Sequence, residues 1–265
     1  MMRNAYLLYR RLPLSVRDRL RWIRHPINAL VTAAIHRAAK HKVVSGPFAG
    51  MILSEDRPHL PYLLGTQELE IHECIERLIA LKFDRIVNVG AADGYYAVGM
   101  AMRCHSATIV AYEADVSLHQ KLLSMAKTNG VSERMVVHGK CSQSDLAFVA
   151  TQGSRTLLIV DIEGAELDVL GSEAAEFLAE AFMLVETHDI LRAQCSQTIS
   201  QMFSKTHTVE RYETRGRKSE DMPVRIVRAM GALAPAVVLG AMSEQRAGPQ
   251  EFLLLIPSSF AASNR

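Results

Sequence analysis

The chain has 265 residues, of which 49% are hydrophobic and 22% are charged, and its formal net charge is +2. This length suits one large α/β domain with additions, and the composition excludes collagen, a coiled coil and wholesale disorder. The four cysteines lie at least 30 residues apart and form no C-x-x-C pair, which argues against a disulfide scaffold and a zinc knuckle. We therefore expect a cytoplasmic protein with reduced thiols.

A basic arm is predicted at the N-terminus. Residues 1–42 carry ten lysines and arginines and one acidic residue, Asp18, so that acids outnumber bases in the remainder. Residues 1–45 show amphipathic spacing on both sides of Pro26, which predicts two short helices. Two interpretations stay open: the arm contacts the inner face of an anionic membrane peripherally, or it packs on the body with its basic side chains in water. No stretch reaches the roughly 18 to 20 apolar residues of a membrane span, and we expect no secretory signal.

An α/β domain is predicted over 66–265, after an irregular connection over 46–65 that is rich in glycine and proline. Helix and strand patterns alternate, and the run TLLIV at 156–160 is apolar on both faces, as in a parallel strand covered by helices on both sides. The predicted strands are 85–89, 108–113, 134–138, 156–161, 181–187, 207–213 and 251–257. We therefore expect a doubly wound, mostly parallel, seven-stranded sheet of the Rossmann-like kind.

The segment 215–250 separates the last two predicted strands. It opens with the charged run RGRKSED and continues into an apolar stretch that Pro235 interrupts. We interpret it as an inserted helical segment that forms a lid or a dimer surface, with simple buried packing as an equal alternative.

The turn after the first strand is predicted to contact a ligand, because ligands of open parallel sheets lie beyond the carboxyl ends of the strands. Gly90 and Gly94 let the chain turn tightly there. The glycines do not form G-x-G-x-x-G, and Asp93 stands where the diphosphate of a dinucleotide would rest. A carboxylate suits a ligand with an ammonium group instead, such as S-adenosylmethionine, although Asp93 also fits a plain N-cap role. Glu113, which ends the second strand, is placed to accept the ribose hydroxyls of a nucleoside.

Four short segments occur together in a distinctive order. They are NVGAADGY at 88–95, YE at 112–113, DIEGAE at 161–166 and ETH at 186–188. In these segments the chain resembles the FkbM-type methyltransferases, a branch of the class I S-adenosylmethionine-dependent enzymes, and the likeness covers residues 62–213. The resemblance implies the class I methyltransferase fold, S-adenosylmethionine as cofactor, and O-methylation of a hydroxyl on a sugar, a glycan or a natural-product acceptor.

The resemblance also implies site residues. The loop 90–94 matches the loop around the methionine part of the cofactor, Glu113 matches the ribose acid, and Asp161 matches the acid beside donor and acceptor. Two positions depart from the pattern, since Asn88 replaces a common acid and Ala92 a common glycine, but the amide oxygen of Asn88 still accepts a hydrogen bond. The residues expected at the cofactor are Asn88, Gly90, Ala92, Asp93, Gly94, Tyr95, Glu113 and Asp161.

Catalysis is assigned to three side chains that follow the fourth and fifth strands. Methyl transfer mainly requires alignment of acceptor, methyl group and sulfur, but a hydroxyl acceptor must also lose its proton. We expect Asp161 and His188 to carry this step, with His188 as general base, and Glu163 to hold the acceptor's hydroxyls. Glu166 is expected only to favour the positive N-terminus of the next helix.

A metal variant of the site is open as well. Asp161, Glu186 and His188 offer ligands for Mg²⁺ or Mn²⁺. Strand alternation points Glu186 and His188 the same way without ensuring that Asp161 joins them. We therefore expect no metal site.

Two other functions compete with methyl transfer. A nicotinamide-dependent oxidoreductase is disfavoured by Asp93 and by the glycine spacing. A nucleoside-binding partner protein without catalytic activity, docked at a membrane through the arm, is the second alternative. Nucleic-acid binding is not expected, because the basic residues lie in one terminal arm without an RNA- or DNA-binding module.

Overall fold

The computed structural model describes residues 26–55, 58–150, 155–223, 234–244, 246, 248 and 250–263. The first 25 residues of the expected arm and residues 224–233, 245, 247 and 249 of the expected insert lie outside the described residues. The strands are β1 Arg85–Val89, β2 Thr108–Tyr112, β3 Met135–His138, β4 Thr156–Val160, β5 Phe182–Thr187, β6 His207–Glu213 and β7 Glu251–Pro257.

Helices precede or follow almost every strand. They are α1 Pro26–Ala39, α2 Leu60–Leu64, α3 His72–Ala80, α4 Tyr95–Arg103, α5 Val116–Thr128, α6 Gln143–Ala150, α7 Glu166–Val169, α8 Ala174–Phe177, α9 Cys195–Phe203, α10 Pro235–Met242 and α11 Ser258–Ser263. No helix in the described ranges is long and apolar enough to cross a membrane.

The seven strands form one sheet in the order β3-β2-β1-β4-β5-β7-β6. The first five pair in parallel, and β7 runs antiparallel to both β5 and β6. Every residue of β4 and β5 is buried, as strands with helices on both faces require. The doubly wound, mostly parallel, seven-stranded sheet expected from the sequence is confirmed.

The core lies on both faces of this sheet. Because successive side chains of a strand point to opposite faces, Leu157 joins one apolar cluster and Leu158 the other. The part of the arm that the structure describes belongs to the first cluster, since Ile35 of α1 is fully buried there. Residues 26–39 therefore pack on the body, which was one of the two interpretations of the arm.

The register between β1 and β4 positions the site. Val89 lies opposite Val160, and the amide of Asp161 donates to the carbonyl of Val89 at 2.9 Å. The chain therefore leaves β1 at Gly90 directly beside the point where it leaves β4 at Asp161. Since the helices switch faces of the sheet between these two strands, a crevice opens here.

Candidate active site

A cavity of about 360 Å³ lies at the carboxyl ends of β1, β4 and β5. The turn after β1 lines it beside Asp161, and Glu163 and His188 line it as well. Further lining residues come from outside the four motif segments. These are Tyr62, Gln67, Glu68, Tyr96, Glu186, Ile190, Leu191, Glu244, Arg246 and Gln250.

The turn after β1 has a backbone that its sequence only partly favours. Gly90 has φ of 83°, and a Cβ there would collide with the backbone oxygen of Asp161. Gly94 has φ of 101° and is the N-cap of α4. Ala92 also takes a positive φ, 47°, a conformation that costs a non-glycine residue free energy. Glycine is therefore required at 90. Gly94 occupies the N-cap position of α4, and the carboxylate of Asp93 accepts a hydrogen bond from the backbone of Tyr95.

Three buried oxygens around this turn have no hydrogen-bond partner among the described residues. They are Oδ1 of Asn88, Oδ1 of Asp93 and Oδ1 of Asp161, and all three residues line the cavity. Burial raises the pKa of Asp93, and the nearby charge of Glu55 raises it further. Buried acceptors without a donor are costly, so this group of oxygens suits a ligand that brings N–H donors and positive charge.

Glu113 lies beside the turn and is not among the residues that line the cavity. Its Oε2 accepts from the amide of Ala92 and its Oε1 from the amide of Asp115, both at 2.7 Å. A carboxylate has about four lone-pair directions, so each oxygen can accept a further hydroxyl. The ribose role of Glu113 stays a prediction.

His188 stands at the centre of the catalytic group expected from the sequence. Its side chain is 1% exposed, and its Nε2 lies 3.3 Å from Oε2 of Glu163 and 3.8 Å from Oδ1 of Asp161. Its Nδ1 lies 2.7 Å from Oε1 of Glu166. Burial lowers the pKa of His188, but the hydrogen bond to Glu166 and the surrounding carboxylates outweigh burial, so that the net pKa is raised.

Glu166 is a site residue that sequence reasoning missed. It lies in the first turn of α7, where the sequence analysis assigned it, and its side chain is fully buried and faces the ring of His188. It also accepts from the amide of Gly164 at 3.0 Å and from the thiol of Cys195 at 3.6 Å. The only sequence signal was its place in the DIEGAE segment, which does not reveal in which direction the side chain points.

Asp161, Glu186 and His188 come together, contrary to the doubt about Asp161. One ligand atom from each lies within 4.8 Å of the other two. Burial raises the pKa of Asp161 well above its ordinary value, and the charges of Glu186, Glu68 and Glu163 raise it further. The geometry of these three side chains is compatible with a bound divalent metal ion.

The segment 215–250 contributes charged side chains to the cavity. Arg246 contacts the carboxylates of Glu186, Glu244 and Glu68 and the side chain of Gln250. Sequence reasoning missed Glu68, Glu244 and Arg246, because they lie outside the four segments and meet only in the folded chain.

Aromatic residues also line the cavity near the turn after β1. Tyr62 and Tyr95 stack with their ring centroids 4.1 Å apart and an angle of 10° between the planes. The hydroxyl of Tyr96 donates to Glu68. Burial raises the pKa of Glu68 to about 7, and the charge of Glu186 adds to this effect. Tyr95 thus lines the cavity, as expected for a cofactor-contacting residue, beside partners that the motif did not indicate.

Among the comparisons with known proteins, the one with solved structures finds similar chains. No family model and no curated protein matches the chain. Cofactor-bound Rv0187 from MTB is 13% identical, with a TM-score of 0.47 and coverage of 92% of this chain and 97% of that one. The O-methyltransferase TomG from Streptomyces achromogenes, involved in tomaymycin synthesis and solved with SAM, is 13% identical, with a TM-score of 0.43 and coverage of 87% and 89%. TYW2 from P. horikoshii in complex with MeSAdo is 13% identical, with a TM-score of 0.36 and coverage of 68% and 60%. All three scores lie below 0.5, so the FkbM-type resemblance rests on this chain's own motifs.

Proposed function

We propose that the protein is an S-adenosylmethionine-dependent methyltransferase of the FkbM type that methylates a hydroxyl on a sugar, a glycan or a natural-product acceptor. The observation that carries this proposal is the set of three unpartnered oxygens on Asn88, Asp93 and Asp161 around the turn after β1. Such acceptors match the ammonium group of a methionine moiety and repel a diphosphate.

The residues that would hold the cofactor follow from this arrangement. Asn88 and Asp93 accept from the ammonium group, Gly90 lets the ligand approach the chain closely, and Glu113 accepts from the ribose hydroxyls. S-adenosylmethionine supplies, when bound, a methyl group that its sulfonium activates for displacement. The remaining task of the chain is to align an acceptor and to remove its proton.

His188 is suited to take that proton. Glu166 fixes the ring through Nδ1, so that Nε2 faces Asp161, Glu163 and the cavity. A carboxylate that accepts from Nδ1–H leaves Nε2 free as the base and stabilises the ring once it is protonated. Glu163, with a side chain that is 78% exposed, is placed to accept from a further hydroxyl of the acceptor.

The mouth of the cavity suits an acceptor with an apolar side as well as hydroxyls. Ile190 and Leu191 line the cavity and are 54% and 61% exposed. The carboxylates of Asp161, Glu163 and Glu186 line the same cavity. A sugar ring or a hydroxylated natural product presents both kinds of surface.

The competing functions fit these residues less well. A nicotinamide dinucleotide would bring its diphosphate to Asp93, whose partly buried carboxylate carries an unpartnered oxygen. A binding protein without catalytic activity does not need a buried Glu166 to orient the ring of His188. Neither alternative is therefore proposed.

The first experiment measures thermal unfolding with S-adenosylhomocysteine, NAD⁺ or NADP⁺, followed by transfer of a labelled methyl group to hydroxylated acceptors. We expect the melting temperature to rise with S-adenosylhomocysteine alone, and label to appear in an acceptor with the parent chain and not with His188→Ala. Stabilisation by a dinucleotide would contradict the proposal, and binding without any transfer would favour the non-catalytic alternative.

A further inference from the structure

Two different cations fit beside Glu186. The nearest ligand atoms of Asp161, Glu186 and His188 lie within 4.8 Å of one another, and this set of two carboxylates and one imidazole suits Mn²⁺. In the structure, however, the guanidinium of Arg246 forms an ion pair with Glu186. The side chain of Glu186 is 5% exposed, so its charge needs a close partner.

Arg246 compensates more than one buried carboxylate. Its Nε lies 2.7 Å from Oε2 of Glu244, and a terminal nitrogen lies 3.3 Å from Oε1 of Glu68. The side chains of Glu68 and Glu244 are 4% and 9% exposed. A planar guanidinium has five N–H donors and serves several carboxylates at once, as a bound metal ion does.

The other buried arginine of this region does not replace Arg246. Arg217 pairs with Glu70 and Glu244 and is 3% exposed, and it has no contact with Glu186. Among the described residues that line the cavity, Arg246 alone carries a permanent positive charge. Arg246 is therefore the cation that pairs with Glu186 in this cavity.

We propose that Arg246 is the built-in cation of this site and stands in place of a divalent metal ion beside Glu186. The guanidinium holds the carboxylates in position, but it does not polarise an acceptor oxygen as a metal does, so the proton of the acceptor must go to a side chain. This assigns to the segment 215–250 the task of completing the charge balance at the ends of β4 and β5. Replacing Arg246 by a neutral residue should turn Asp161, Glu186 and His188 into a manganese site.

The experiment titrates MnCl₂ into the full-length protein and measures free Mn²⁺ by electron paramagnetic resonance. We expect the parent chain to leave Mn²⁺ free, and Arg246→Gln to bind one ion at least about tenfold more tightly than the parent. Arg246→Gln with Glu186→Gln should lose this binding again. Arg211→Gln is the matched control, because Arg211 pairs with Glu251 away from the cavity lining.

The proposal fails if the parent chain binds Mn²⁺ stoichiometrically and Glu186→Gln abolishes that binding, since a metal would then occupy the site normally. It also fails if folded Arg246→Gln binds no more tightly than the parent. If Arg246→Gln does not fold without metal, we expect added Mn²⁺ to restore folding, as measured by circular dichroism. A variant that stays unfolded with Mn²⁺ counts against the proposal. The place of Arg246 in the reaction rests on the proposed function. Since none of these readouts measures methyl transfer, they test the role of Arg246 separately from that function.

Discussion

At the scale of single residues, His188 is held by carboxylates on both sides of its ring. Glu166 contacts Nδ1, and Glu163 and Asp161 lie near Nε2. One carboxylate cannot both orient the ring of His188 and contact the acceptor, and this arrangement divides the two roles among different residues. Glu166 orients the ring, and the other two are left for the acceptor.

The first prediction concerns Glu166→Gln. Removing the carboxylate lowers the pKa of His188, whose raised value depends on that hydrogen bond, and it also frees the ring to turn. Because the base is active when neutral, the rising limb of the rate against pH should move to lower pH, and the maximal rate should fall about 10²-fold or more. Methyl-transfer kinetics between pH 5 and 9 test this, with the exposed Glu173→Gln as control. An unchanged limb would mean that Glu166 only supports packing.

The second prediction concerns Glu113→Ala. The change removes a carboxylate that accepts from two backbone amides and is proposed to accept from ribose hydroxyls. S-adenosylmethionine should bind about 10- to 100-fold more weakly, which equals about 1.4 to 2.8 kcal/mol. Calorimetry gives the affinity, and the exposed Glu133→Ala should leave it unchanged. Equal affinities for both variants would refute the ribose role.

The third prediction concerns the proton that Glu68 holds. Its pKa in the folded protein is about 7, because burial and the charge of Glu186 disfavour the anion, whereas its ordinary value is 4.5. Between these values the folded state binds more protons than the unfolded state, so stability falls as pH rises from 4.5 to about 7. Glu68→Gln should remove this part of the pH dependence, with exposed Glu73→Gln as control. Urea unfolding at pH 5, 6, 7 and 8 tests it, and equal slopes for variant and parent would contradict it.

At the scale of elements, the ends of β1 and β4 form the part of the site that tolerates least change. Gly90 leaves β1 with a left-handed backbone and packs against the carbonyl of Asp161. This contact links two segments that lie 71 residues apart in the chain. The geometry of the cavity wall thus requires glycine at position 90, where a side-chain methyl group would collide with the chain.

The fourth prediction compares two glycines with a positive φ. In Gly90→Ala, the new side chain is strained by the left-handed backbone and also collides with Asp161. In Gly130→Ala, only the backbone strain arises, since nothing lies within 4 Å of the added Cβ. We expect a loss of about 1 to 2 kcal/mol in the free energy of unfolding for Gly130→Ala, and about 1 to 3 kcal/mol more for Gly90→Ala. Urea unfolding measures both. Similar losses would show that the backbone moves to accept the methyl group.

The sheet could be predicted from the sequence because its signals are local. The run at 156–160 is apolar on both faces, and β4 occupies those positions with every residue buried. The site could be predicted only where a motif follows a strand, as at Asp161 and His188. Arg246 and Glu68 lie 178 residues apart, and no periodic pattern connects them. Their meeting depends on tertiary contacts between distant parts of the chain, which local propensity does not encode.

At the scale of the whole molecule, the basic charge lies at one end of the chain. Residues 1–25 carry seven arginines and one acid, Asp18. Helix α1 belongs to the core through Ile35, so a deletion that keeps the folded body must stop before Pro26. Whether the arm contacts a membrane, one of the two interpretations from the sequence, is therefore best tested with residues 1–25 removed.

The fifth prediction separates the two interpretations of the arm: if residues 1–25 contact anionic membranes, the parent chain binds anionic lipid vesicles and the chain without these residues does not. Binding should fall steeply between about 0.1 and 1 M salt, because the Debye length shortens from about 10 to 3 Å. Vesicle sedimentation measures binding, and uncharged vesicles are the control. Affinity for S-adenosylmethionine should be the same in both chains. Vesicle binding that survives the deletion or ignores salt would refute a role for the arm at membranes.

The order of strands in the sheet bears on how the protein is made. β7 comes last of the seven strands in sequence, but it lies between β5 and β6 and pairs with both. During translation β6 therefore leaves the ribosome before β7, its neighbour in the described sheet, has been made, and β5 still has an unpaired edge. A nascent chain that stops before Glu251 keeps these edges unpaired and exposed to other chains. Synthesis of residues 251–257 therefore closes both strand edges, and we expect a chain truncated before Glu251 to aggregate.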